Sequence, residues 1–436
     1  MKKNAILVLL LCLGLLVSSC DDYLSEPVPQ DGFSSSTFLT EDDFRLFLNT
    51  IYNRAIGFSG TNNWPNRGVD LFPMWTEDGY GRRQCCSGAD LAPMFEFGQA
   101  KSSNQYNNPY ERIRQVNELL ALAPQTESNF TDAALYRQYI AEARFFRAYE
   151  HHKVSAFYGA VPLQLELTVQ ELLPRNTRLS VFEWVDAELG DIANDLPETP
   201  ELGRISKWTA MALRARHLLY AIDWHPDVAS LYARAEPILQ DIYDNSGHAL
   251  VQGIDAYAAL FTKEGEQTSE NVWTRYYDQA TRGSDNSQTG LSHGRPFHFL
   301  PRNASGNGNS GTIATNRMAE AFQSSNGLEI RDPANTLYNP ENPWADRDPR
   351  LEVALIHSGT ELTVRNATSI TDTYIVEPHP SEGGSALDRV NNGGNNRISG
   401  YWFKKYTTDF NWLGFNDSRL ADVQYHFIRF AEVVLL

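Results

Sequence analysis

Cysteine is scarce in this chain, with four in 436 residues. Cys12 and Cys20 lie in the first twenty positions, so the body holds only Cys85 and Cys86. Neighbouring Cα atoms sit about 3.8 Å apart across a trans peptide, closer than ordinary disulfides allow. A vicinal disulfide there would need a distorted, rigid turn, and two free thiols are the alternative reading. Neither cysteine has Cys or His neighbours at zinc-ligand spacing, which excludes a zinc site built on them. Beyond the first twenty residues no apolar run reaches the roughly 20 residues of a membrane-spanning helix. Positive charge is also short: 37 Lys and Arg against 54 Asp and Glu leave a net charge of −17. Such a chain is repelled by phosphate backbones, which argues against a nucleic-acid partner. The HExxH zinc motif, the G-x-S-x-G nucleophile elbow and the phosphate loop are all missing. The adjacent His151 and His152 diverge by about 100° on a helix and do not chelate one metal well. No metal and no cofactor are expected.

What is present begins at the first residue. Lys2 and Lys3 precede an apolar run over residues 5–17, which ends at Val17-Ser18-Ser19-Cys20. A cationic start, an apolar stretch and small residues before a cysteine make a lipoprotein signal peptide. Residues 1–19 are therefore expected to be removed and Cys20 to carry the lipid; an ordinary signal peptide with an incidental cysteine is the alternative. Residues 20–39, with Pro27, Pro29 and Gly32, read as an extended tether. Residues 40–436 then form a single domain. Aromatic content of 12% and hydrophobic content of 42% suit a globular body.

The first part of that body has helical periodicity. Thr40 caps a helix with Asp43 at its third position, and Phe44, Phe47, Leu48 and Ile51 repeat at i, i+3, i+4, i+7. A second helix covers residues 110–120 and stops near Pro124. A third runs over residues 131–158, with Ala141, Phe145 and Ala148 on one face, and Gly159 ends it. Ser180, with Glu183 three residues on, reads as the capping box of a fourth. Met211, Ala215, Leu218, Leu219 and Ile222 form the stripe of a fifth. Residues 228–243 make a sixth, closed by Asn245-Ser246-Gly247. Small alanines between large residues let such helices pack closely in hairpins, as in tetratricopeptide-type stacks. From about residue 251 Gly, Asn, Ser and Pro multiply, with short strand candidates such as residues 272–277 between loops. The expected fold is mostly α: stacked helical hairpins over residues 40–250 and about 420–436, with a loop-rich part and few short strands over about 251–420.

Five segments together resemble one family. Ala141-Glu142-Ala143-Arg144-Phe145-Phe146-Arg147-Ala148-Tyr149, followed by Tyr158-Gly159-Ala160-Val161-Pro162-Leu163, is similar to the AEAxFxRAxxY…YGxVPL run of SusD/RagB proteins. Ser269-Glu270-Asn271 resembles their SEN element, and Asp346-Arg347-Asp348-Pro349-Arg350-Leu351 their RDPRL signature. Gly400-Tyr401 with Lys405 resembles their G-Y-x-x-x-K strand, and residues 427–433 their hxRhAEV helix. The segments occur in the family's order, and Asp21-Asp22 resembles the surface-export signal of Bacteroidetes lipoproteins. The resemblance implies a SusD-like fold in a lipid-anchored outer-membrane protein at the cell surface. It further implies capture of an oligo- or polysaccharide, delivery to a SusC-like TonB-dependent transporter, and no catalysis. Peptide or glycoprotein capture is the alternative within the same family. Relatives continue past the AEV helix, so the chain reads as truncated at Leu436, with an unpaired apolar end over residues 433–436.

Sugar recognition needs flat apolar faces for pyranose rings and planar hydrogen-bonding groups for hydroxyls. Trp64, Asp70, Trp75, Asp78, Tyr80 and Arg82 supply them densely, in a loop region where the resemblance places part of the ligand site; loop packing is the competing role. Tyr276, Tyr277 and His298 form a second candidate group, with strand core as the competing role. Strand alternation puts Tyr277 on the face of Trp273 and Tyr276 on the other. Trp344, Asp346, Arg347, Asp348 and Arg350 read as a loop stapled by bidentate ion pairs. A glycoside hydrolase would need two carboxylates facing each other across a cleft, and no pair stands out. An adhesive surface protein binding a protein partner is the third class.

Overall fold

The computed structural model describes residues 40–55, 76–81, 103–167, 173–277, 299–301, 304, 312–366, 369–376, 399–407 and 423–436. The signal peptide, Cys20 and the tether, Cys85, Cys86, and the candidates Trp64, Asp70, Trp75, Arg82 and His298 lie outside them.

Helix α1 (Glu41–Ala55) starts at a reciprocal cap. The Asp43 amide donates to Thr40 Oγ1 and the Thr40 amide to Asp43 Oδ2, both at 3.1 Å. The expected stripe of Phe44, Phe47, Leu48 and Ile51 is buried, and Phe44 lies parallel to Tyr139 at 6.1 Å. Helix α2 spans Ser103–Thr126 and passes through Pro124 instead of stopping there. A proline this close to a C-terminus removes one ladder bond only, and Thr126 Oγ1 closes the end on the Ala123 carbonyl at 2.8 Å. Helix α3 (Ala133–Tyr158) is capped by the Asp132 carboxylate on the Ala134 amide at 2.7 Å. It ends where Gly159 takes φ +70°, a conformation glycine adopts without a Cβ clash.

Helix α4 (Arg178–Ile192) is capped by Thr177, three residues before the expected cap. Thr177 Oγ1 takes the Ser180 amide at 3.1 Å, so that donor is no longer free for Glu183. Glu183 instead accepts from Arg234 at 2.9 Å. Helix α5 (Lys207–Leu219) stops short of Ile222, which is 39% exposed. Its buried face is wider than the stripe, adding Trp208, Ala212 and Leu213. Helix α6 (Val228–Asn245) buries Leu231, Ala235, Ile238 and Ile242, and Gly247 follows at φ +72°. Each helix packs on the next, α2 on α3, α3 on α4, α4 on α5 and α5 on α6, giving the stacked helical architecture.

The remainder is mostly short elements: helix α7 (Ile254–Ala259), strands β2 (Asn271–Arg275) and β3 (Thr312–Ala314), α8 (Asn316–Ala321) and α9 (Arg350–Ala354). Strands β4 (Leu355–Ile356), β5 (Glu361–Asn366), β6 (Ser369–Ile375), β7 (Trp402–Phe403) and β8 (Tyr425–Arg429) follow, then α10 (Phe430–Leu435). With β1 (Gly79–Gly81) these strands form two-stranded antiparallel ladders, β1–β3, β2–β8, β4–β7 and β5–β6. The β2–β8 ladder ties this part to the helices. Trp273 stacks on Phe427 at 4.8 Å and meets Phe145 and Tyr149 edge-on, and Thr209 Oγ1 donates to the Val272 carbonyl at 2.7 Å. Residues 427–429 are therefore strand, because His426 and Ile428 alternate with half-buried neighbours along β8. Of the apolar end, Val433 is buried, whereas Val434, Leu435 and Leu436 are exposed.

The loop before α9 is held differently from the expected ion-pair staple. Asp348 and Arg350 do pair in bidentate fashion. Arg347, however, donates to three main-chain carbonyls, those of Pro343, Ala319 and Phe322, at 2.6–2.7 Å. Asp346 contributes its carbonyl, which accepts the Ser325 amide at 2.7 Å while its backbone sits at φ +56°. Trp344 lies flat on His357, 4.0 Å away.

Candidate ligand-binding site

Residues 76–81 reach the body through β1, whose Tyr80 faces Ile313 across the ladder. Thr315 fastens the approach: its amide donates to the Asp78 carbonyl at 2.9 Å and its hydroxyl to the Glu77 carbonyl. The same hydroxyl accepts the Met318 amide at 3.1 Å and so caps α8. Glu77 pairs with Arg317 at 2.7 Å, both side chains mostly exposed, which contributes little. With its carbonyl engaged, Asp78 leaves its carboxylate in solvent. The Tyr80 side chain lies outside the described atoms.

Tyr276 and Tyr277 follow the end of β2. Tyr276 is half-buried beside Gly203, and its hydroxyl accepts from Asn271 Nδ2 at 3.3 Å. Burial raises that hydroxyl above the usual tyrosine range. Tyr277 is 2% exposed, under the Arg275 guanidinium at 5.1 Å, and its carbonyl accepts from Lys263 at 3.1 Å. A side chain so covered contacts a ligand only if its surroundings move.

The two candidate groups are far apart in sequence, yet the segments carrying them are anchored together at both ends. Arg275 Nη2 donates to Asn53 Oδ1 at 2.9 Å, so the end of β2 lies against the end of α1. The chain leaves α1 towards Trp64 and Trp75 and leaves β2 towards His298. The first returns at β1, paired to β3. The second returns at Phe299, which shares an apolar cluster with Ala314 of β3. Sequence reasoning missed Arg275 and Thr315, the residues that make this juxtaposition. Their bonds span 222 and 238 positions, which no local pattern signals.

Among the described residues the buried carboxylates pair with cations: Glu142 with Arg204, Glu150 with Lys153, Glu188 with Arg144 and Arg147, Asp186 with Arg214, Glu270 with Arg429. Burial raises Glu142 above the ordinary carboxylate range, but its side chain is wholly enclosed by helices. Among the described residues no three His, Cys, Asp or Glu gather as a metal site. His151 and His152 bond separate partners, the Arg147 carbonyl at 2.9 Å and His217 at 2.8 Å. Among the described residues no helix is long and apolar enough to cross a membrane.

Two family profiles match the chain. One, described as the SusD family, covers residues 269–436. The other, described as starch-binding associating with outer membrane, covers residues 84–219. A SusD-like protein of Bacteroides ovatus is 24% identical over 277 residues, 59% of this chain and 47% of its own length. The chain thus spans about half of that curated relative. The crystal structure of a SusD-like carbohydrate binding protein from Bacteroides fragilis superposes with a TM-score of 0.72 at 22% identity, over 91% of this chain and 73% of its own. Surface glycan-binding protein A from Bacteroides fluxus does so with a TM-score of 0.66 at 16% identity, over 91% and 75%. Those two likenesses establish the fold, and the two profiles fall on the segments that carry the sequence signatures. The chain belongs to the SusD/RagB family.

Proposed function

We propose that the protein is a non-enzymatic, cell-surface glycan-binding lipoprotein. In this reading Cys20 carries the lipid anchor in the outer membrane, and the captured oligo- or polysaccharide passes to a SusC-like TonB-dependent transporter. Trp64, Asp70, Trp75, Asp78, Tyr80 and Arg82 on one segment, with Tyr276 and His298 on the other, supply the ligand contacts. The observation that carries the reading is the paired anchoring of those two segments, through Arg275 on Asn53 and Thr315 on residues 77–78. A rigid base under two aromatic-bearing segments is what a preorganised sugar site requires. The pairing of the described buried carboxylates with cations supports capture over hydrolysis, which needs an accessible pair.

Retardation of the mature protein, with Cys20 replaced, in native gels cast with neutral and anionic polysaccharides tests this. At least one polysaccharide is expected to slow migration, and Trp75→Ala to weaken that binding about tenfold or more, the value of losing one buried ring. Unchanged circular dichroism would assign the loss to the site. Free migration through every polysaccharide by a well-folded protein would turn the reading to peptide or protein ligands.

A further inference from the structure

Four of the segments singled out in the sequence meet at one place, around Tyr257 and Phe261. Lys405, from the G-Y-x-x-x-K segment, donates to the Tyr257 hydroxyl of α7 at 2.8 Å. Its ammonium lies 4.3 Å from the centre of the Phe261 ring and 5.2 Å from that of Tyr257. Arg429, at the end of β8, stands over the same two rings at 5.6 and 5.7 Å. Arg350, at the start of α9, is close enough for its charge to act on both Lys405 and Tyr257.

The cations outnumber their counterions. Arg429 is matched by Glu270 of the SEN segment at 2.7 Å, and Arg350 by Asp348. Among the described residues Lys405 meets no carboxylate; its bond to Tyr257 uses one of three donors. Arg350 Nη1 and Arg429 Nη2 also have no bonding partner among the described residues, and the Tyr257 hydroxyl, accepting from Lys405, keeps its own proton to donate. We propose that this cluster is a binding site for one oxyanion group, a carboxylate or a sulfate, seated on the Lys405 ammonium and ringed by the spare donors of Tyr257, Arg350 and Arg429.

Three features support it. A half-buried ammonium beside two arginines is costly without an anion, and burial with those neighbours lowers Lys405 to about 8, so it is still charged at neutral pH. The aromatic walls exclude water from one side of the ammonium, which strengthens an ionic contact on the other. The excess is local: the chain as a whole carries −17, so nothing in the overall charge produces it.

Isothermal titration of the mature protein with sodium sulfate, galacturonate and galactose, at matched ionic strength in chloride, tests the site. Saturable binding of sulfate, galacturonate or both is expected, with none of galactose. Sulfate alone would identify a free inorganic anion as the ligand, and galacturonate an acidic sugar. Lys405→Met should weaken the anion about tenfold or more, the value of one hydrogen bond to a charged group. Lys405→Gln replaces it should the methionine variant not fold. Lys405→Arg should retain binding, and Arg331→Gln, at an exposed arginine paired with Glu320, should leave it unchanged. Absence of saturable binding by either anion, or equal binding by wild type and the uncharged variants, would overturn the assignment.

Discussion

Acidification from pH 7 to about 4.5 is expected to remove several kcal/mol of stability well before carboxylate protonation dominates. His151, His217 and His426 are buried, and burial lowers each to about 4. His152 is also driven well down, by burial first and then by the His217 it contacts at 2.8 Å. A neutral buried imidazole becomes charged once the chain unfolds, since its ordinary value is near 6.5. The unfolded state therefore binds more protons between about pH 6.5 and 4, and stability falls as the pH drops through that window. A displacement of about 2.5 pH units corresponds to about 3 kcal/mol per site at the acid end. The His217 contact resists a second proton on the folded pair, so both of its members contribute to the fall. Glu142, raised by burial, acts the opposite way and offsets part of the loss. Urea midpoints at pH 7, 5.5 and 4.5 should fall steadily; equal midpoints at pH 7 and 5 would refute the neutral, buried state of these histidines.

Removal of the Glu142 carboxylate should be among the most damaging single substitutions in the helical stack. Its two oxygens accept from Tyr52 at 2.7 Å, Gln138 at 2.8 Å and Arg204 at 3.1 Å, and the Tyr52 oxygen in turn accepts the Ile205 amide at 2.9 Å. The network joins α1 and α3 to the residues that lead into α5, and Tyr52 lies in the last turn of α1, from which the first candidate segment departs. Glu142→Ala leaves the Arg204 guanidinium, whose side chain is 9% exposed, without its buried acceptor. Breaking such a pair from one side costs about 3–5 kcal/mol. Replacing both charges with apolar groups of similar volume is often nearly neutral. The double variant Glu142→Leu with Arg204→Leu should thus recover much of the loss in chemical denaturation. A cost below about 1 kcal/mol for Glu142→Ala would mean that the network contributes little.

The helical half was legible in the sequence where its signals are local. The Thr40–Asp43 cap, the stripe of α1, the Gly159 stop and the length of α6 all come from residues within a turn of one another. At Ser180 a local signal misleads: Thr177, three residues earlier, takes the Ser180 amide that the Glu183 side chain would have accepted. Arg347 is another such case. A guanidinium beside two aspartates suggests ion pairs, but a closed loop offers carbonyls whose own bonds must be satisfied, and these take the arginine first. Strand β8 was hidden inside what resembles a helix, because its partner β2 lies about 150 residues away. Still longer separations concealed the base of the candidate site. Nothing near Arg275 announces Asn53, and nothing near Thr315 announces residues 77–78.

Capture of a glycan without cleavage is the activity proposed for the protein. Its most direct test is equilibrium titration of the mature protein with oligosaccharides cut from whichever polysaccharide retards it, followed by chain-length analysis of the same sample. Saturable binding and recovery of the oligosaccharide at its original length are expected. Binding with shortened products would make the protein a hydrolase, and no binding by a folded protein would contradict glycan capture outright.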